Sequence, residues 1–210
     1  DASAAASDLT SIDGKTSVAV VATSVGTITG TAAEVVTAAQ SAGITTATNY
    51  AATVNSGTLS VANALILDGD TTGVITATVA EGDLTTLKTL TDENNNNALT
   101  IIVTETSADP ADLIAVDALT SVEVDARNVE TFTGSVADLN SYRTAFDAGT
   151  IVGLRLYAVV TDDTSAAAAD LLTLANPSSG TAPDADLTSI DTINGSVANV
   201  TTLYGLPSGV

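Results

Sequence analysis

The 210-residue chain has no cysteine, histidine, methionine or tryptophan. Without cysteine there is no disulfide, thiolate nucleophile or zinc–thiolate site. Without histidine the commonest general base and transition-metal ligand is missing, and a Ser–His triad is excluded. Basic residues are scarce as well: five Lys plus Arg against 25 Asp plus Glu leave a formal net charge of −20. The five cations, Lys15, Lys88, Arg127, Arg143 and Arg155, offer no footprint for a phosphate backbone, so no nucleic-acid partner is expected. An anionic membrane surface repels the chain for the same reason. The longest apolar runs fall far short of the roughly 20 residues of a membrane span, and no membrane insertion is expected. No basic n-region or apolar h-region stands at the start, so no signal peptide is visible. The opening "DASAAASDLTSID" reads as the middle of a pattern, as in a mature form or a segment excised from something longer.

Aromatic residues are also few, at 3%, although apolar residues make up 45%. Ala, Val, Leu and Ile supply nearly all of them. Large single cores draw on aromatics for buried area, whereas small aliphatics suit thin layers that repeat. Charged residues, at 14%, lie below the usual quarter, and Ser, Thr, Asn and Gly supply the rest of the polar surface. The plentiful Val, Leu and Ile argue against disorder.

What the chain does have is self-similarity. Residues 8–30, "DLTSIDGKTSVAVVATSVGTITG", align without a gap on residues 112–134, "DLIAVDALTSVEVDARNVETFTG", so Asp8 meets Asp112 at an offset of 104. Asp83 in "DLTTLKTL" meets Asp186 in "DLTSIDTI" at 103, and Tyr50 in "NYAATV" meets Tyr157 in "LYAVVT" at about the same distance. Two long repeats follow, residues 1–111 and 112–210, the second with an irregular tail from about residue 175. Each divides again. Asp-Leu or a variant of it, then apolar residues at every third position, then a β-type run, begins at Asp8, Glu34, Asp83, Asp112, Asp138, Asp170 and Asp186, with a degenerate copy at Asn63-Ala64-Leu65. The spacing scatters around about 26 residues, a period found in solenoids.

One unit reads as a short helix plus a short strand. Thr31 with Glu34 forms a capping box, and Ser135 with Asp138 is close to one. Leu84, Leu87 and Leu90 line one face of about two helical turns. Ile101 with Val103 and Val122 with Val124 alternate at the strand period. Ordering about 26 residues takes more entropy than half a dozen buried aliphatic side chains return, so a unit must lean on its neighbours. The expected fold class is therefore α/β, a solenoid-like stack of strand-plus-short-helix units with a mostly parallel sheet. The competing architecture is an ordinary α/β layer domain built of βαβ units.

The strings "DLTSIDGKTSVAV", "GTITGTAAEVVTA", "LDGDTTGVITATVAEGDLTTLKTL" and "LTIIVTETSADPADLIAVDALTS" resemble the tandem-repeat regions of giant extracellular surface proteins of marine bacteria, cyanobacteria especially, and of their phages. The resemblance extends to about residue 175; the Pro- and Gly-rich end fits it less well. It implies surface display, adhesion or a structural fibre, and it brings no catalytic residues.

Three sets of residues are candidates for a site. Asp68 with Asp70, Asp92 with Glu93, and Asp162 with Asp163 offer oxygen ligands to Ca²⁺, although neither an EF-hand loop nor a glycine-rich nonapeptide array is present. Such Asp-, Asn- and Gly-rich segments are also ordinary solvated turns. Threonine pairs at a spacing of two, Thr27/Thr29, Thr76/Thr78, Thr104/Thr106 and Thr131/Thr133, place two hydroxyls on one strand face. Stacked units would align them into ladders of the kind that bind ice; threonine also favours strands for packing reasons alone. A Ser–Lys nucleophile would need Lys15 or Lys88, both in ordinary turn or helix positions, and no glycine-rich phosphate loop follows a strand.

The expected function is accordingly non-enzymatic: a repeat module of an extracellular filament, appendage or cell-surface layer that assembles with copies of itself. The alternatives are a marine phage virion fibre or decoration protein for host attachment, and a Ca²⁺-dependent adhesin or ice-binding module. No cofactor is expected apart from Ca²⁺ on the acidic pairs. Beyond itself, a cell-surface glycan or host receptor is the expected partner. A net charge of −20 suits a saline exterior, where the Debye length is only a few ångströms.

Overall fold

The computed structural model describes residues 2–153, 158–175, 184–186 and 188–204. Arg155, Tyr157, Leu187 and residues 176–183 and 205–210 of the irregular tail lie outside the described residues. The chain is mixed α/β, with eight helices among the described residues. Every strand pairing among those residues is parallel. The chain divides into two compact units, Asp1–Ile102 with Ala118–Val122, and Val103–Asp117 with Glu123–Val210.

The first unit runs β1 (Ser3–Ala5), α1 (Ala6–Asp13), β2 (Val20–Ala22), β3 (Thr27–Thr31), α2 (Ala32–Ala39), β4 (Ile44–Thr46), β5 (Ala51–Ser56), α3 (Val61–Asp70), β6 (Ile75–Thr78), α4 (Leu84–Leu87) and β7 (Ala98–Thr100). Five strands form one sheet in the order β1-β3-β5-β6-β7, and β2 pairs with β4. In-register neighbours Ala4, Ile28, Ala52 and Ile75 point inward. Small and large side chains alternate along this file. Val35 on α2, Leu67 on α3 and Leu87 on α4 are fully buried against this side.

The second unit runs β8 (Ser107–Ala108), α5 (Pro110–Asp117), β9 (Val124–Ala126), β10 (Thr131–Gly134), α6 (Val136–Ala148), β11 (Ile151–Gly153), β12 (Ala158–Thr161), β13 (Ser165–Ala167), α7 (Ala168–Ala175), β14 (Asp184–Asp186), β15 (Thr192–Asn194) and α8 (Val197–Tyr204). Its main sheet has the order β14-β12-β10-β8, with separate pairs β9–β11 and β13–β15. Leu113, Phe132, Leu139 and Tyr142 are fully buried. Phe132 and Tyr142 lie 4.5 Å apart between ring centroids, tilted by 40°.

Elements recur at the offset of the sequence match. Ser3 to Ser107, Ala6 to Pro110, Val20 to Val124 and Thr27 to Thr131 each span 104 residues. After the next helix the offset is 107, from Ile44 to Ile151 and from Ala51 to Ala158. The extra length sits in the helix, which has 8 residues in α2 and 13 in α6. α2 stops at Gln40 in a right-handed conformation. α6 runs on to Gly149, whose φ of 77° and N–H bonds to the Ala145 and Phe146 carbonyls make a left-handed C-terminal turn.

Local chemistry explains the helix starts. Thr31 and Glu34 form the complete capping box, and Ser135 accepts from the Asp138 N–H. Ser60 and Asp83 cap α3 and α4 in the same way. Leu84, Leu87 and Leu90 are all buried, although α4 itself is one turn and a pair of tight i→i+3 bonds carries the chain on to Leu90. Three expectations need correction. Asp186 begins no helix: it lies in β14, opposite Val160. The helix starts further on, at Val197, where Ser196 accepts from the Asn199 N–H at 3.2 Å. Ile101 and Val103 are buried but lie beyond the end of β7, and Val122 precedes β9.

Candidate functional site

Many of the acidic side chains serve helix N-termini. Asp8, Glu34, Asp112, Asp138 and Asp170 occupy first turns, where the helix dipole favours a negative charge. Backbone and side-chain hydrogen bonds from Thr31 hold the Glu34 carboxyl below its usual range. The Thr86 bonds do the same for Asp83. Two acids reach back from the following segment: Glu81 accepts from the Val61 N–H at 2.9 Å, and Asp163 from the Val136 N–H at 2.7 Å. These amides have no partner within their own helices.

The six carboxylates nominated for Ca²⁺ therefore have separate fates. Asp163 supports the start of α6, and Asp162 is exposed. Asp70 accepts from the Tyr50 hydroxyl at 2.7 Å. Burial, and then this bond and the Asp70 charge, push the Tyr50 hydroxyl well above the ordinary tyrosine range. Asp68 is buried and takes hydrogen bonds from the Thr91 hydroxyl and, at 3.1 Å, from the Asn97 amide. Asp92 accepts from the Asn96 and Asn97 N–H groups, and Glu93 is exposed. Asn97 thus joins Asp68 to Asp92, and its side-chain oxygen Oδ1 also accepts from the Ile75 N–H at 3.2 Å. The oxygens of Asp68 already face neutral donors. Among the described residues no three acids stand close enough to share a metal ion.

A second recurring device follows the helices. Ser or Thr hydroxyls accept from the N–H two residues on: Thr16 from Val18, Ser41 from Gly43, Thr71 from Gly73 and Thr120 from Val122. Each turn sits just before a strand, and three also tie to an earlier segment. Ser41 donates to Asp13, Thr71 to the Tyr50 carbonyl and Thr120 to the Leu99 carbonyl. The Asp13–Ser41 bond has its counterpart in Thr150 donating to Asp117 at 2.8 Å. Burial raises the Asp117 pKa, and the Thr150 bond opposes that shift. A Ser or Thr three or four residues ahead of each β-type run was the readable sign of this device.

The outward face of the first unit's sheet carries no charge. Its files are Ser3–Thr27–Ala51, Ala5–Thr29–Thr53–Thr76–Ala98 and Thr78–Thr100. Of the threonine pairs, Thr27/Thr29 and Thr76/Thr78 belong to this face, and Thr29, Thr53 and Thr76 stand side by side across three strands. Thr131/Thr133 lie on β10, while Thr104/Thr106 fall between strands.

Comparison with protein-family models, curated proteins and solved structures finds no match. Among the described residues no helix is long and apolar enough to cross a membrane.

Proposed function

We propose that the chain is a non-enzymatic structural module, a repeat segment of an extracellular filament, appendage or cell-surface layer, and that each unit is a short solenoid. The observation that carries this reading is the pairing pattern. Among the described residues strands meet only partners 22 (Thr76 with Ala98) to 27 residues (Thr131 with Ala158) away, always in parallel, and α1 packs on α2, α2 on α3, α5 on α6 and α6 on α7. Such order makes stability a sum of neighbour contacts. Use of the acids as helix caps, without convergence on a cleft, supports a scaffold rather than a catalyst. Negative-stain microscopy and light scattering of the purified chain test it. Filaments or concentration-dependent assemblies are expected; a monomer at every concentration overturns the reading.

The same architecture serves a marine phage fibre or decoration protein, and genomic neighbours separate the two settings. A second reading, ice binding, has one observation in its favour, the uncharged Ser/Thr/Ala face with Thr29, Thr53 and Thr76 in register. Strand spacing of about 4.8 Å sets hydroxyls and methyls out in a regular array. Shaping of ice crystals by the wild type, lost in Thr53→Lys, is its test.

A further inference from the structure

We propose that Asn194 is a self-modification site: the Gly195 backbone nitrogen closes on the Asn194 side chain, expels its amide as ammonia, and leaves aspartate or isoaspartate between β15 and α8. Asn194 is the one asparagine of the chain that is followed by glycine. Both residues are exposed, so water and hydroxide reach them. With no Cβ on the following residue, its nitrogen approaches the side-chain carbon unhindered. The fold also demands that glycine. Its φ is 153°, and a Cβ placed there would meet the Ala168 Cβ at 3.2 Å. The residue that makes the side chain vulnerable is thus the one the strand-to-helix turn requires.

The reaction needs only water. A solvent hydroxide takes the Gly195 amide proton, and the nitrogen attacks Asn194 Cγ. The new N–Cγ bond closes a cyclic imide; the Cγ–Nδ2 bond breaks, and Nδ2 leaves as ammonia. Water then opens the ring at either carbonyl. Opening at Cγ restores the ordinary peptide bond to Gly195 and gives aspartate. Opening at the main-chain carbonyl routes the backbone through Cγ and gives isoaspartate. One water enters, one ammonia departs and nothing is oxidised.

Two related pairs, Asp13–Gly14 and Asp68–Gly69, could close the same ring by losing water. Helices hold both. The Gly14 N–H is given to the Thr10 carbonyl at 3.0 Å, and Gly69 lies inside α3, where its N–H belongs to the helical ladder. Their carboxylates are engaged as well, Asp13 by the Ser41 hydroxyl and the buried Asp68 by Thr91 and Asn97. Asn194 lies in a strand instead, and its Nδ2 donates to the Ser165 hydroxyl oxygen at 2.9 Å. The nitrogen that departs is therefore also a link from β15 to β13.

The product matters because of what flanks it. Ile193 precedes the site and Leu203 follows it, and both pack on Val136, Ala166 and Leu171. Isoaspartate adds a main-chain carbon between these two anchors and shifts α8 against α7, on which it packs. Aspartate leaves the backbone as it was, and its charge lies near the start of α8, where the helix dipole favours it. Isoaspartate formation thus loosens α8 as the protein ages.

Full-length protein is aged in mildly alkaline buffer and mapped by mass spectrometry, beside Asn194→Gln and Asn194→Asp. Circular dichroism checks that all three start folded. Conversion is expected at Asn194 ahead of every other asparagine, with isoaspartate among the products, and is lost in Asn194→Gln. Aged wild type is expected to release α8 to a broad-specificity protease sooner than fresh protein. Asn194→Gln aged alongside, and fresh Asn194→Asp, should resist as fresh wild type does. If Asn194 keeps its amide, or if Asp13 and Asp68 isomerise as fast as it converts, the assignment is wrong. Conversion that leaves protease resistance unchanged overturns the loosening of α8.

Discussion

The module β1–α1–β2 and its counterpart β8–α5–β9 have helices of equal length at equal spacing, yet opposite surroundings. Ile12 and Val116 hold the same place on α1 and α5, one half exposed and the other sealed. Helical periodicity decides which side chains point toward the sheet; what lies beyond the module decides whether they are dry. Equivalent residues of the two repeats therefore contribute differently to stability.

The comparison breaks most visibly with a charge. Val116→Asp buries an unpaired carboxylate and is expected to destabilise by about 4 kcal/mol or more; Ile12→Asp is expected to stay within about 0.5 kcal/mol of wild type under monomeric conditions. Denaturant titration of the two variants measures the difference directly. Truncation sharpens it next. Leu113→Ala opens a hole in a closed core and should cost about 3–4 kcal/mol, whereas Leu9→Ala trims the wall of a solvent-open hollow that Leu9 lines with Ile12 and Val25 and should cost about 2 kcal/mol. Equal losses would mean that the two modules are packed alike.

Smaller effects belong to features the two repeats share. Thr31→Ala and Ser135→Ala each remove an N-cap and are expected to cost about 1 kcal/mol, read as a lower melting temperature. Asp117→Asn should have the least effect, with a definite sign. Burial raises the folded pKa of Asp117 above its unfolded value. Its contribution is therefore fully favourable below the unfolded pKa and is lost as pH rises through the folded one. Asn keeps the acceptor for Thr150 and carries no charge. The variant is expected to be more stable than wild type at neutral pH by a few tenths of a kcal/mol, since solvent screens this half-buried site. Melting curves should converge below about pH 4.

Helix starts and the offset between repeats were legible because they depend on residues three or four apart, as with Thr31 and Glu34, or on plain identity, as with Asp8 and Asp112. The eighth helix was misplaced because the Asp at 186 belongs to a strand, opposite Val160, and the helix start is marked instead by Ser196 with Asn199. The role of Asp163 was hidden because its partner, the Val136 amide, lies 27 residues back. Asn97 joins Asp68 to Asp92 across a similar separation, and no local pattern announces it. Acid pairs look alike in sequence whether they hold a cation or cap a helix; only the donors that face them tell the two apart.

Short, uniform pairing distances have a kinetic consequence. Among the described residues no strand pairing closes a loop longer than about thirty residues, so the entropic barrier to each pairing stays low. A strand-rich protein thereby gains the local-contact character that lets helical bundles fold quickly. Each strand finds its partner in a segment made shortly before it, an order of pairing that can follow synthesis.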